Sequence, residues 1–273
     1  MLDFRDYRVI DLSVRLEEGY PLTWPSMPLI QKRTLNWYAR VDGPHGQPLI
    51  PSIGAFYAQA LSIDEHTGTH VDFPPHNIPS SDSGLPNAGA AGDPPGDEYP
   101  LEHLIGQAAV VDLTSLLDQA PAGVSPAITP ETLENWEDQH GRIEPGEIVL
   151  LNSGYCDKYF APLPAGNRMF EPVLGGKVPG WPAPTAAAIE LLYARGVRHV
   201  GTTTPSIGAV EDLGAAHVAG LSRGMSFTEM LVNLSEVPAR GAWFVMLPLR
   251  IAAQSGGPGR AIALVPKTPN TGQ

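Results

Sequence analysis

The 273-residue chain has one cysteine, Cys156. A lone thiol closes no internal disulfide, which excludes a disulfide-stapled secreted scaffold and makes a reducing cytoplasm the expected compartment. Cys156 itself reads as a small buried hydrophobe rather than a nucleophile. Basic residues are also scarce: 17 Lys and Arg stand against 29 Asp and Glu, a net charge of -12. Phosphate backbones are gripped by clustered Lys and Arg, and no such cluster occurs here, so no nucleic-acid partner is expected. Long apolar runs are missing as well. The stretch AWFVMLPL from Ala242 to Leu249 falls short of the ~20 residues that span a bilayer. The opening MLDFRDYRVIDLS has charges where a secretory leader needs an apolar core. No membrane partner is therefore expected, and no repeat or heptad pattern is present.

What the chain does have is a series of short runs rich in branched and aromatic residues, bounded by Gly, Pro or Asp. They lie at 7–13, 55–63, 108–113, 147–152, 198–202, 242–247 and 261–265 and read as strands. Two segments read as helices: TPETLENWEDQH at 129–140, with Thr129 as N-cap and Pro130 in the first turn, and PTAAAIELLYARG at 184–196, closed by Gly196. Strands mixed with helices predict an α/β chain, with no linker separating two cores, so one domain over 1–273 is expected. Two Gly- and Pro-rich stretches, 41–54 and 80–100, read as long loops that cover a pocket.

Three of the eight histidines fall within HTGTHVDFPPH, residues 66–76. On a helix Asp72 would turn about 200° away from His70, and Pro74 and Pro75 forbid helix continuation. In an extended chain His66, His70, Asp72 and His76 share one parity and one face. A straight strand would hold His66 and His70 ~13 Å apart, too far for both rings to reach one metal. A shared metal thus predicts a bend between them, and Gly68 is where a bend is cheapest. Imidazoles with a carboxylate suit Zn²⁺ or Mn²⁺ with positions open to water. Further on, Met225, Phe227, Glu229 and Leu231 share strand parity, so Glu229 falls on an apolar face and needs a cation or donor. An ion pair with Arg223 or Arg240, or exposure on a helix, are the structural alternatives.

These residues resemble the cyclase family of metal-dependent hydrolases, whose members include kynurenine formamidase-like, isatin hydrolase-like and trans-dienelactone hydrolase-like enzymes. The family motif His-x-Gly-Thr-His-x-Asp-x-Pro-x-His is complete here. DLSVRLEEGYPLTWPSMP (11–28), TTPSIGAVEDLGAAH (203–217), TEMLVNLSEVPARGAWFVMLPLRI (228–251) and GPGRAIAL (257–264) are similar to further family blocks.

The resemblance implies a swivelling β/β/α fold, Zn²⁺ or Mn²⁺ at one or two ions per chain, a small-molecule substrate, and a homodimer or homotetramer. It implies His66, His70 and Asp72 as metal ligands, His76 as acid/base, and His217 with Glu229 as a distal pair that holds a second metal or shapes the site, Glu229 also counting as catalytic. The activity implied is hydrolysis of a cyclic or N-formyl amide. Lactone hydrolysis or polyketide-type cyclisation is the enzymatic alternative, and a non-catalytic metal- or ligand-binding protein the alternative from another class. Trp24, Phe73 and Ser206 are expected at the substrate, with Tyr57 and Trp243 as further aromatic candidates. Thr203 and Gly208 depart from the family's frequent acidic residues.

Overall fold

The computed structural model describes residues 3–267. Its strands are β1 (Tyr7–Asp11), β2 (Gln31–Asn36), β3 (Val41–Asp42), β4 (Pro48–Ile50), β5 (Ala58–Ser62), β6 (His70–Asp72), β7 (Ile105–Asp112), β8 (Ala127–Ile128), β9 (Ile148–Asn152), β10 (Ala183–Pro184), β11 (His199–Thr202), β12 (Ser226–Glu229), β13 (Ala242–Pro248) and β14 (Gly256–Pro266). The helices are α1 (Pro130–His140), α2 (Tyr155–Tyr159), α3 (Glu171–Leu174), α4 (Ala186–Ala194) and α5 (Leu213–Leu221). No described helix is long and apolar enough to cross a membrane.

One mixed sheet organises the chain, in the order β1-β14-β13-β7-β9-β11-β12-β6. β6 also pairs with the first residues of β14, so seven strands close into a barrel and β1 extends the sheet along the far end of β14. The run β7-β9-β11-β12 is parallel; the contacts of β6, β13 and β14 are antiparallel. Strand alternation explains how one chain serves two cores. Ala108, Val110, Ile148 and Leu150 point into the barrel with Phe244, Ala261 and Ala263. Their neighbours Ala109, Val111, Val149 and Leu151 face outward and are covered by Leu133 and Trp136 of α1, Ile189 and Leu192 of α4, and Ala216 and Ala219 of α5. β9 is buried at every position, which is why IVLLN reads as a continuous apolar run.

Both predicted helices form. Thr129 caps α1 by accepting from the Thr132 N–H, and Pro130 occupies its first turn. Thr185 caps α4, while Pro184 before it belongs to a two-residue pairing with β8. The helix α5 was not foreseen; Asp212 caps it by accepting from the Gly214 and Ala215 N–H groups.

Residues 80–100 form a long loop, though not one that lines the cavity, and residues 41–54 are not a loop. Residues 41–54 hold the β3–β4 hairpin, set on the end of the β2–β5 hairpin, and together they form an arm that pairs with no strand of the barrel. Residues 80–100 are turns and single-turn 3-10 helices laid tightly on the barrel rather than over a pocket. A Cβ at Gly96 would sit 2.2 Å from the Phe73 ring, and one at Gly92 would sit 2.0 Å from the Ile78 carbonyl oxygen.

Candidate metal centre and its cavity

The bend at Gly68 is present. Gly68 has φ +63, donates its N–H to the Leu22 carbonyl, and breaks the extended chain between His66 and His70. β6 then lies between β12 and β14, with His70 opposite Glu229 and Asp72 opposite Gly256. Strand pairing thus sets the second predicted signal beside the first. α5 brings His217 in from the outer layer. Asp72 is the hub: its Oδ1 lies 2.7 Å from His66 Nδ1 and 3.3 Å from His70 Nε2, and its Oδ2 lies 3.3 Å from His217 Nε2. Glu229 lies 3.6 Å from His70 Nε2 through Oε2 and 3.3 Å from His217 Nε2 through Oε1. Its Oε1 also accepts the Ile207 N–H at 2.6 Å. The arginine alternatives are ruled out, because Arg223 pairs with Glu190 and Arg240 with Glu147. Glu229 ends a strand, not a helix.

The outer nitrogens reveal what the inner ones are for. His70 Nδ1 donates to the Gly68 carbonyl and His217 Nδ1 donates to the Leu213 carbonyl, each at 2.7 Å. In the neutral ring this commits the proton outward and leaves the Nε2 lone pair facing carboxylate oxygens. Lone pairs facing buried carboxylates repel unless a proton or a cation lies between them. Without a metal, protons fill that role. Burial alone would push His70 down, but the hydrogen bond and charge of Asp72, then Glu229, carry it up to about 9. His217 is likewise carried to about 10 against burial by Asp72 and Glu229. Burial would raise Asp72, yet the charge of His76 and hydrogen bonds from His217, His66 and His70 hold it well below the usual carboxylate range. Two donor sets, His66–Asp72–His76 and His70–Asp72–Glu229, each bring ligand atoms within 4.8 Å of one another and share Asp72. This donor chemistry fits one or two divalent cations.

A cavity of about 290 Å³ opens onto this cluster. Leu22, Trp24, Met27, Phe170, Leu213 and Met230 form its apolar walls, and Asp64, Asn77 and Ser206 join the histidines and Glu229 at its polar end. Trp24 meets Phe170 edge-on at 5.5 Å. The expectations for Trp24 and Ser206 agree with this lining, whereas Phe73 must be corrected. One residue past Asp72, it points to the opposite face, into the barrel, where it packs on Tyr99 at 5.2 Å. Tyr57 packs against Trp37 in the arm, and Trp243 lies on β13, away from the cavity. Phe170, Met27 and Asn77 were not anticipated. Phe170 comes from an irregular stretch with no motif, and only its place in the fold reveals it.

The two departures from the family pattern have local reasons. Thr203 Oγ1 accepts the Ser153 and Gly154 N–H groups, tying the end of β9 to that of β11. At Gly208 a Cβ would come within 2.1 Å of the Leu213 carbonyl oxygen, the same oxygen that orients His217, so no side chain fits there. Cys156 is fully buried and its thiol is pushed up by burial, as an inert core residue.

Comparison with known proteins identifies relatives of this chain. The Cyclase family model matches residues 10–209. Isatin hydrolase from Roseibium aggregatum is 32% identical over 223 residues, 79% of this chain and 78% of that protein. Kynurenine formamidase from Salinibacter ruber is 28% identical over 204 residues, 74% of this chain and 77% of that protein. A crystal structure of an isatin hydrolase bound to the product analogue thioisatinate superposes with a TM-score of 0.75 at 25% identity, covering 96% of this chain and 94% of that one. With the motif, the barrel and the matched span in agreement, the chain belongs to the Cyclase family.

Proposed function

We propose that this protein is a metal-dependent hydrolase that uses water to cleave the C–N bond of a cyclic amide or an N-formyl amide. The observation that carries the reading is the convergence of committed imidazole lone pairs and two buried carboxylates at the polar end of an otherwise apolar cavity. His66, His70 and Asp72 are the primary ligands in this reading, with His217 and Glu229 completing the set. A Zn²⁺ or Mn²⁺ ion held there supplies a Lewis acid that polarises a carbonyl and makes water acidic enough to react near neutral pH.

The chain's own residues do the rest. Trp24 and Phe170, which meet edge-on, form one continuous apolar wall against which a flat substrate ring packs. His76 stands at the mouth of the polar end on its Pro74–His76 turn, part of its surface open to water and its ring 4.1 Å from that of His66. It takes the proton of the attacking water and delivers it to the leaving nitrogen. The closeness of His76 to His66 and Asp72 favours one further reading, in which His76 is a ligand of a second cation.

The finer expectations follow the same line. The protein acts as a single domain in the cytoplasm and as a homo-oligomer. The arm carries the last of these: Trp37, Tyr38, Leu49, Phe56, Tyr57 and Leu61 are exposed on it, and Ile53 is 85% exposed. A two-stranded ribbon with so little support is marginal alone. In a chain of net charge -12 the arm has Lys32, Arg33 and Arg40 against one acid, Asp42, which suits the acidic body of a second copy.

The test is turnover of isatin-type cyclic amides and N-formyl arylamines together with metals per chain by elemental mass spectrometry. One or two ions per chain, activity abolished by EDTA and restored by Zn²⁺ or Mn²⁺, is the expected result. Lactones turned over in preference to amides would favour the ester reading. No bound metal and no turnover would overturn the proposal and leave a non-catalytic binding protein.

A further inference from the structure

Glu65, Ser255 and Gly256 adjoin the cluster but have no part in the functions above. The Glu65 carboxylate accepts the Ser255 N–H at 3.0 Å, the Ser255 hydroxyl at 2.9 Å and the Gly256 N–H at 3.3 Å. Ser255 Oγ in turn lies 3.3 Å from His66 Nε2. Glu65 Oε2 already serves as acceptor to two backbone N–H groups, so the serine hydroxyl points its hydrogen at it as well. Its oxygen is then left as an acceptor, and the proton shared with His66 must come from Nε2. The other ring nitrogen, Nδ1, is the one turned toward Asp72 Oδ1 at 2.7 Å. Gly256 adds a steric constraint: a Cβ there would sit 2.4 Å from His66 Cε1 and 2.8 Å from both ring nitrogens. Gly256 lies within β14, so it is the ring above it, not an unusual backbone conformation, that requires glycine.

We infer that Glu65, Ser255 and Gly256 are positioning residues that fix the tautomer and ring plane of His66, so that Nδ1 and not Nε2 is the nitrogen offered to the cation. This rests on the metal-dependent reading above. It also sets His66 apart from its neighbours, since His70 and His217 offer Nε2. The tautomer of two imidazoles is set by backbone carbonyls, and that of the third by a side-chain relay that a single substitution can remove.

The inference is tested by long-range ¹H–¹⁵N correlation on ¹⁵N-histidine protein and by zinc affinity from chelator competition. In zinc-loaded wild type, His66 should carry its proton on Nε2. Ser255→Ala should weaken zinc by ~10–100-fold, the usual effect of losing an outer-shell partner. Ser255→Thr, which keeps the hydroxyl, should restore most of that affinity. Gly256→Ala should weaken zinc and alter the visible absorption of the cobalt-loaded protein. A purely structural role would lower the melting temperature of the metal-free S255A protein and leave zinc affinity unchanged, which would overturn the inference. A His66 proton on Nδ1 in zinc-loaded wild type would do the same. If the wild type binds neither zinc nor manganese and turns nothing over, the proposed function fails, yet the relay is still read in metal-free protein. The Nε2 proton resonance of His66 should then be present in wild type and displaced in S255A; no displacement would overturn it.

Discussion

His76 differs from the other histidines of the strip in what holds it. Among the described residues no hydrogen bond fixes its ring, while His66, His70 and His217 are each anchored on both sides. The crowding of protein around it, then the charges of His66, His217 and His70, hold it below the ordinary imidazole range against the pull of Asp72. A ring that no hydrogen bond holds suits proton transfer better than structure. His76→Ala is therefore expected to retain at least one metal ion per chain while kcat falls by ~10²–10⁴. Elemental analysis and steady-state kinetics on one preparation check this. Loss of all metal would make His76 an essential ligand, and unchanged kcat would remove it from the chemistry. At this scale the sequence was most informative where residue types are chemically scarce. His66, His70, Asp72 and His76 stand out by density and shared parity, and the same parity argues against Phe73 because residue 73 faces the other way. Phe170 gave no signal, since an aromatic in a motif-free stretch is as good a core residue as a cavity wall.

At the scale of elements, the bend at Gly68 and the buried pair β11–β12 carry most of the local design. The positive φ at Gly68 is costly for any other residue by roughly 1–2 kcal/mol. A Cβ there would also meet Leu16 Cδ2 at 2.4 Å and Val14 Cγ2 at 3.2 Å. Gly68→Ala is expected to lower stability in urea unfolding by at least that backbone cost and to weaken metal binding, because it moves His66 relative to His70.

β11 buries His199, whose Nδ1 meets the Ser226 hydroxyl at 2.7 Å and whose Nε2 meets the Thr228 hydroxyl at 2.8 Å. Burial pushes it down to about 3. The folded ring is thus neutral, while the unfolded ring gains its proton near pH ~6.5. The stability this contributes is complete above pH ~6.5 and is lost as pH falls toward ~3, at up to ~1.4 kcal/mol per pH unit. His70 and His217, whose values are raised in the metal-free protein, act with the opposite sign, so the comparison must be with a variant. In metal-free protein His199→Gln should flatten the acid dependence relative to wild type. Parallel curves would show that His199 does not titrate as argued. Elements were legible where a local signal was clean, as in the continuous apolar run of β9 and the Thr129–Pro130 cap of α1. The helix α5 was not, because LGAAHVAGL is apolar nearly all round and shows no amphipathic face.

At the scale of the whole molecule, closure of the barrel explains why residues 66–76 and 217–229 meet. β6 is only three residues long, yet it pairs with β12 on one side and β14 on the other, so a sequence separation of about 150 residues collapses to hydrogen-bond distance. No periodicity reports which strand closes a ring, and this part of the fold could come to the reader only through the family resemblance. The same limit applies to the arm. Its Gly- and Pro-rich tip reads as a loop because the β3 and β4 strands are two and three residues long. What marks it in the folded chain is apolar surface left uncovered. Trp37, Tyr38 and Tyr57 pack edge-on or tilted against one another, with ring centroids 5.0 to 6.3 Å apart, yet remain partly open to water. An aromatic cluster of this kind is the usual anchor of an interface, where truncating one member costs ~2 kcal/mol or more. If a second copy covers the arm, light scattering of the wild type at micromolar concentration will give a multiple of the 29.1 kDa chain mass. Trp37→Ser with Ile53→Asp should then weaken association by more than ~30-fold and shift the mass toward that of a single chain. The barrel would stay folded by circular dichroism, because the arm pairs with none of its strands. A wild type that is monomeric at every concentration tested would end the oligomer proposal and leave the arm as a surface for some other partner.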